Sequence, residues 1–155
     1  MELITERCII RNLNIEDADD LYNVLSDVRV MRYIESAFNM EMTKDFIQTA
    51  GLCEPPLVYA IVWKLTGKVI DHAIFHSYEQ SDYEIGWIIN RNYWGIGIAD
   101  EVTKELIEYA RYLGIGSCII ECDAKQIASK NIAIKNGFVY EGKIDNLERY
   151  RLVLQ

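Results

Sequence analysis

Tyr93-Trp94-Gly95-Ile96-Gly97-Ile98-Ala99 is the stretch whose reading decides the fold, because it joins two segments of different periodicity. Before it, Tyr83 to Ile89 (YEIGWII) is rich in aromatic and β-branched residues and reads as a buried strand. After it, Ile98, Val102, Leu106, Ala110 and Leu113 recur at helical spacing, and Gly114 is placed to end the helix. Two glycines and an alanine in the turn let a ligand come close to the backbone. The helix behind them offers free N–H groups and roughly +0.5 of a charge at its N-terminus, which suits a phosphate. The stretch therefore reads as an anion cradle.

Two common phosphate loops do not fit. A dinucleotide fingerprint needs a third glycine where Asp100 stands, and a triphosphate loop needs Gly-Lys-Ser/Thr, which is absent. Residues 94 to 99 resemble instead the Q/R-x-x-G-x-G/A pyrophosphate loop of the GNAT N-acetyltransferases, with Trp94 in the Gln/Arg slot. The form Tyr-Trp-Gly-x-Gly-x-Ala resembles the RimJ/RimL-like branch, which acetylates ribosomal-protein N-termini. Leu3-Ile4-Thr5-Glu6-Arg7, Glu16-Asp17-Ala18 and Met31-Arg32-Tyr33-Ile34 resemble the opening of that branch. Gln126-Ile127-Ala128-Ser129 followed by Asn136-Gly137-Phe138 resembles the family's N-x-x-S…GF segment at matching spacing. The resemblance covers essentially the whole chain.

The 155 residues predict a single domain, 1–155, large enough to bury a full core. No apolar run approaches the ~20 residues of a membrane span, and the N-terminus lacks the basic-then-apolar order of a signal peptide, so the expected location is the cytoplasm. The formal charge of −8 argues against a broad nucleic-acid surface and weakly favours a cationic partner such as an amine. Cys8, Cys53, Cys118 and Cys122 show no ligand-like clustering, so neither a metal site nor a disulfide is expected. His72 and His76 stand four apart on one predicted strand with no third ligand beside them.

Read in order, residues 6 to 11 make a first strand, and Asn14 caps a helix whose stripe is Ala18, Leu21, Tyr22, Leu25 and Val28. Thr43 is a candidate cap for a second helix, stopped by Gly51. Leu57–Leu65 and Lys68–Phe75 flank Thr66-Gly67 as a hairpin, and His76 to Asp82 is a polar connection into the YEIGWII strand. Ser117–Cys122 reads as a strand, Asp123 caps a helix with Gln126 as its capping-box partner, and Gly137 closes that helix. Phe138–Gly142 and Glu148–Leu154 alternate as a closing antiparallel pair. The order β-α-α-β-β-β-α-β-α-β-β is that of an α/β GNAT fold, with a mixed central sheet of about six to seven strands flanked by helices.

The resemblance implies acetyl-CoA as co-substrate, with no metal, and direct transfer to a primary amine in a ternary complex. The pantetheine then lies beside Trp87, Ile88 and Ile89, and the pyrophosphate meets the N–H groups of Gly95, Ile96, Gly97, Ile98 and Ala99. For Trp87 and Trp94 the indoles themselves read as packing groups. An alkylamine with a pKa near ~10.4 benefits from a base, and Glu84 and Glu121 are the candidates, Glu84 the stronger. A backbone N–H of Ile88 or Ile89 would meet the oxyanion. Ser129 is the candidate to contact or protonate the leaving thiol, because Ala133 stands where many relatives have a tyrosine. Gln126 replaces the family's asparagine beside the pantetheine. Tyr33, Phe38 and Met40 are the candidate acceptor-binding residues. Asp71 stands where the family usually has glycine. The acceptor is a small-molecule amine or a protein N-terminus, and relatives of this kind are often homodimers. The alternative is an acyl-CoA-binding sensor that keeps the cradle without turnover.

Overall fold

The computed structural model describes residues 1–154 as one eight-stranded sheet with helices on both faces. The strands are β1 Glu2–Ile4, β2 Cys8–Arg11, β3 Val58–Trp63, β4 Val69–Ser77, β5 Asp82–Ile89, β6 Ser117–Cys122, β7 Val139–Ile144 and β8 Leu147–Val153. They lie in the order β1-β2-β3-β4-β5-β6-β8-β7, antiparallel everywhere except between β5 and β6. The helices are α1 Ala18–Leu25, α2 Met40–Phe46, α3 Ile98–Tyr112 and α4 Ile127–Lys135. The sheet has one strand more than the six to seven expected. The addition is β1, a three-residue edge strand too short to show an alternation.

Side chains alternate across the sheet and divide the core in two. On one face Ile85 and Ile89 of β5 pack with Ile98, Val102, Leu106 and Ala110 of α3. On the other face Ala60 and Val62 of β3 pack with Leu21, Val24 and Leu25 of α1, and Ile88 lies partly buried against them. Each fully buried aliphatic side chain contributes about 1.5–3 kcal/mol, so the α3 stripe alone fixes which face of that helix meets the sheet.

Several predicted boundaries move for local reasons. Asn14 caps a single 3-10 turn, Ile15–Asp17, in a reciprocal box with Asp17, and α1 follows directly. Val28 falls outside that helix and is exposed, so it is no part of the buried stripe. Asn39, rather than Thr43, caps α2, accepting from the Met42 N–H at 2.8 Å. Thr43 is fully buried inside the helix and donates its hydroxyl to the Asn39 carbonyl at 2.9 Å. The chain then widens into a π-helical turn, Ile47–Gly51. Leu113 ends α3 half exposed, and Gly114 turns out of it with φ 75°.

The first turn of α3 is clamped from both sides. Glu101 accepts from the Thr5 hydroxyl at 2.6 Å and from the Arg7 backbone N–H and Nε, each at 2.8 Å. Asp100 accepts from Lys104 at 2.6 Å, Asn136 at 2.8 Å and Lys135 at 3.1 Å, which ties α3 to the end of α4. Burial works against these partners, yet they hold the Asp100 carboxyl down to about 2. The residue that rules out a dinucleotide fingerprint is therefore a structural clamp.

Asp71 is a strained point in the strand behind the site. Its backbone sits at φ 136°, a conformation glycine adopts freely and other residues rarely, beside a register shift between β3 and β4. Its side chain is fully buried, with Oδ1 at 2.6 Å from His72 Nδ1 and Oδ2 without a partner among the described residues. Burial pushes its carboxyl up to about 6 despite the neighbouring His72.

Candidate active site

The site begins where two parallel strands part. β5 and β6 pair only at Asp82↔Ser117, Tyr83↔Cys118 and Glu84↔Ile119, and beyond Glu84 they separate. The parity of β5 follows from its ends: the Tyr78 N–H donates to the Asp82 carbonyl, and the Asn90 N–H to the Ile70 carbonyl. In an antiparallel ladder alternate residues bond to the same neighbour, so Glu84, Gly86 and Ile88 present their backbone groups to β4. The N–H and C=O groups of Ile85, Trp87 and Ile89 consequently face the opening. Of the two predicted oxyanion donors, the ladder leaves the Ile89 N–H facing the cleft, whereas the Ile88 N–H is turned to β4.

Below the opening lies the cradle. Gly95 and Gly97 have φ 76° and 88°, the left-handed conformation that turns successive N–H groups the same way. A Cβ on Gly95 would meet nothing within 4 Å, and one on Gly97 would meet only Arg7 Nη2, at 3.4 Å. The Trp94 indole N–H donates to the Ile89 carbonyl at 2.8 Å while the ring is half exposed, so this side chain pins the loop to β5 instead of only packing. A cavity of about 630 Å³ runs along these elements, lined by Trp87–Ile89, Trp94, Gly95, Gly97–Ala99 and Gln126–Ser129. Arg29 and Lys125 add positive charge to its wall, where Lys135 is paired with Asp100 at 3.1 Å. A backbone nest, an open strand edge and a basic rim fit a phosphorylated thioester carrier such as coenzyme A.

A smaller cavity, about 190 Å³, opens on the α1/α2 side of β5 and is lined by Tyr33, Glu84, Gly86, Glu121, Gln126 and Ser129, among others. Gly86 lies in its lining, and a Cβ there would crowd Ile74 Cδ1 at 3.2 Å. Burial pushes the Glu84 carboxyl above its ordinary range, His76 pulls it back and Glu121 adds to the rise. Glu121 accepts from the Tyr78 hydroxyl at 2.9 Å, and Arg149 Nη1 donates to the same hydroxyl at 3.1 Å. Ser129 lines both cavities, and its hydroxyl finds no hydrogen-bond partner among the described residues. Tyr33 also lines both, its ring capped by Arg32 at 5.1 Å.

The sequence-predicted residues thus divide. The cradle apart from Ile96, whose side chain is half exposed outside the lining, Trp87–Ile89, Glu84, Glu121, Gln126, Ser129 and Tyr33 converge on two adjoining cavities. Phe38 and Met40 do not line them; they pack against the α1/α2 core, Phe38 edge-on to Phe46 at 5.9 Å. The helix after β6 starts at Ile127, later than a cap at Asp123 implies. Gln126 still makes the expected reach-back, accepting the Asp123 N–H at 2.8 Å, and its amide NH₂ is left to donate to a ligand. Ala133 is fully buried, so no hydroxyl enters from that position. Tyr78, Arg149 and Gly86 were not anticipated. Counting back from Glu84 through the hairpin would have placed His76 opposite it. The Cys8, Cys118 and Cys122 thiols are buried, which pushes them up to about 11, 12 and 11, so none is a poised nucleophile.

Residues 7–139 match the family described as "Acetyltransferase (GNAT) domain". The protein named "Uncharacterized N-acetyltransferase YnaD" of Bacillus subtilis strain 168 is 30% identical over 145 residues, covering 92% of this chain and 85% of that one. This chain belongs to the GNAT acetyltransferase family. Among solved structures, a GNAT-family acetyltransferase from Bacillus anthracis superposes with a TM-score of 0.91, at 24% identity, over 99% of each chain. A ribosomal L7/L12 α-N-protein acetyltransferase, RimL, solved with coenzyme A, superposes with a TM-score of 0.83, at 18% identity, covering 99% of this chain and 98% of that one. No helix among the described residues is long and apolar enough to cross a membrane.

Proposed function

We propose that the protein transfers the acetyl group of acetyl-CoA to a primary amine by direct attack in a ternary complex. The observation that carries this reading is the junction of two cavities at the β5/β6 opening, one walled by a phosphate cradle and the other by a desolvated carboxylate. Bound acetyl-CoA supplies an activated thioester carbonyl. The N–H groups from Gly95 to Ala99 hold its diphosphate, and the outward backbone groups of Trp87 and Ile89 align its amides as an added strand. The Ile89 N–H faces the developing oxyanion, where such a donor is worth about 10²–10³ in rate.

Glu84 takes the amine proton. Its desolvation raises its basicity and so suits it to the task. Glu121, already engaged by Tyr78, shapes the wall and holds negative charge there. Ser129 donates toward the departing sulfur. Tyr33 closes the acceptor side. The acceptor is a small-molecule amine or a protein N-terminus. The test is acetyl-CoA turnover against a panel of amines and N-terminal peptides. Amine-dependent release of CoA supports the reading. Tight CoA binding without transfer to any acceptor would leave an acyl-CoA sensor in its place.

A further inference from the structure

Glu84 lines the smaller cavity, and the residue opposite it on the neighbouring strand, His76, stands just behind that lining. His76 and Glu84 are direct cross-strand partners in the β4/β5 ladder and lie on the same face of the sheet. His76 Nε2 stands 3.7 Å from Glu84 Oε1. On the other side of the ring, Nδ1 is 2.9 Å from the Ser77 carbonyl. A carbonyl only accepts, so Nδ1 carries the hydrogen, and in the neutral ring Nε2 is a bare lone pair aimed at a carboxylate. A proton that reaches the carboxylate therefore meets an acceptor next to it, and its arrival turns the approach into a charge-assisted contact. Both side chains are partly exposed, Glu84 on the cavity side and His76 outside the cavity lining.

We propose that His76 is a proton relay acting through Glu84, receiving the proton the amine loses and handing it to bulk water; the proposal rests on the acetyltransferase reading above. The steps balance. The substrate ammonium gives a proton to the Glu84 carboxylate, which becomes a carboxylic acid and frees the nitrogen lone pair for attack. Glu84 then passes that proton to His76 Nε2, giving an imidazolium that keeps its Nδ1–H bond to Ser77, and the carboxylate is restored. The imidazolium releases the Nε2 proton to water. A modest side-chain rotation closes the 3.7 Å gap to hydrogen-bond length, and such bonds commonly tighten only in the loaded enzyme.

The charged neighbours support the assignment. Glu121 on β6 faces Glu84 and raises its proton affinity, but its own carboxylate is held by Tyr78, which Arg149 of β8 supports. His72, the other histidine, is buried against Asp71 and Phe46 and has no route to solvent. Among the groups around Glu84, His76, behind the cavity lining, is the one placed to accept from it and reach water.

Two measurements test the relay. The Glu84 side-chain carboxyl is followed by carbon NMR through a pH titration, its signal identified by its loss in Glu84→Gln. In His76→Gln the Glu84 midpoint should move upward, because the positive ring no longer favours the carboxylate. Separately, His76→Ala should lower the rate with the best amine of the panel about tenfold at neutral pH, with the KM for acetyl-CoA unchanged. Free imidazole in the buffer should then recover several-fold, which a purely structural role would not allow. An unmoved Glu84 midpoint, or a His76→Ala rate indifferent to imidazole, overturns the relay. The titration needs neither acetyl-CoA nor an acceptor. A wild-type protein that turns over no amine would therefore sink the acetyltransferase reading, and the relay's role in transfer with it, whatever the titration gives.

Discussion

The donor and acceptor sides of the cleft are built from different materials. On the proposed donor side the exposed groups are main-chain: the N–H groups of the Gly95–Ala99 turn and the outward edge of Trp87 and Ile89. On the proposed acceptor side the lining is side chains drawn from distant segments, Tyr33 after α1, Glu84 on β5 and Glu121 on β6, with His76 of β4 and Arg149 of β8 behind them. A main-chain site depends on backbone conformation and tolerates apolar side chains. It therefore occupies one short stretch of sequence. A side-chain site depends on register and loop path, and it can change its ligand while the sheet stays the same.

That contrast can be broken most severely at Gly97. A side chain there is strained by φ 88°, and Gly97→Glu puts a carboxylate in the anion cradle. Juxtaposed like charges cost several kcal/mol, so CoA affinity should fall more than about 100-fold, while the backbone strain lowers a still cooperative thermal unfolding transition by only several degrees. Titration calorimetry beside a melting curve checks both. Next in size is the acceptor side. Glu84→Gln should lower kcat/KM by about 10²–10⁴ near neutral pH without weakening CoA binding, and the deficit should shrink as pH rises and the amine deprotonates unaided. A constant mutant-to-wild-type ratio from pH 6 to about 10 would remove the base role.

A third prediction concerns the strained strand behind the cleft. The folded pKa of Asp71, about 6, lies above its unfolded value of 3.8. Its contribution to stability is complete below the unfolded value and is lost as pH rises through the folded one. Asp71→Asn keeps an acceptor for His72 and removes the titration. It should match the wild type near pH 4 and exceed it on the order of 2–3 kcal/mol at pH 8, measured by urea unfolding at both values. The smallest effect belongs to Trp94→Phe, which deletes the indole bond to the Ile89 carbonyl. A bond of that kind is worth about 0.5–1.5 kcal/mol, so the CoA dissociation constant should rise by up to about tenfold, with kcat little changed.

What could be read from the sequence follows the same division. YEIGWII, the Ile98–Ala110 stripe and the two glycines of the turn carried the donor side, because period, turn chemistry and cradle are all local. The acceptor side was only partly legible. Glu84, Glu121 and Tyr33 reach the cavity as expected, whereas Phe38 and Met40 turn into the α1/α2 core, since nothing in a single loop sequence says which way its apolar side chains face. Asn39 outcompeted Thr43 as a cap because its side chain reaches the Met42 N–H from outside the helix. The Tyr78 bridge between Glu121 and Arg149 joins residues 43 and 71 positions away, a distance no local pattern encodes. Asp71 looked like a departure from a glycine position, and its φ of 136° supplies the physical reason glycine suits it.

The central claim is that main-chain groups at the β5/β6 opening hold the donor. It is tested most directly by following backbone amide signals while coenzyme A is titrated in. The account predicts large, saturable shifts at Trp87, Ile89 and Gly95 through Ala99, with small ones on β1–β3. Shifts that leave those amides still while coenzyme A binds elsewhere on the sheet would contradict it.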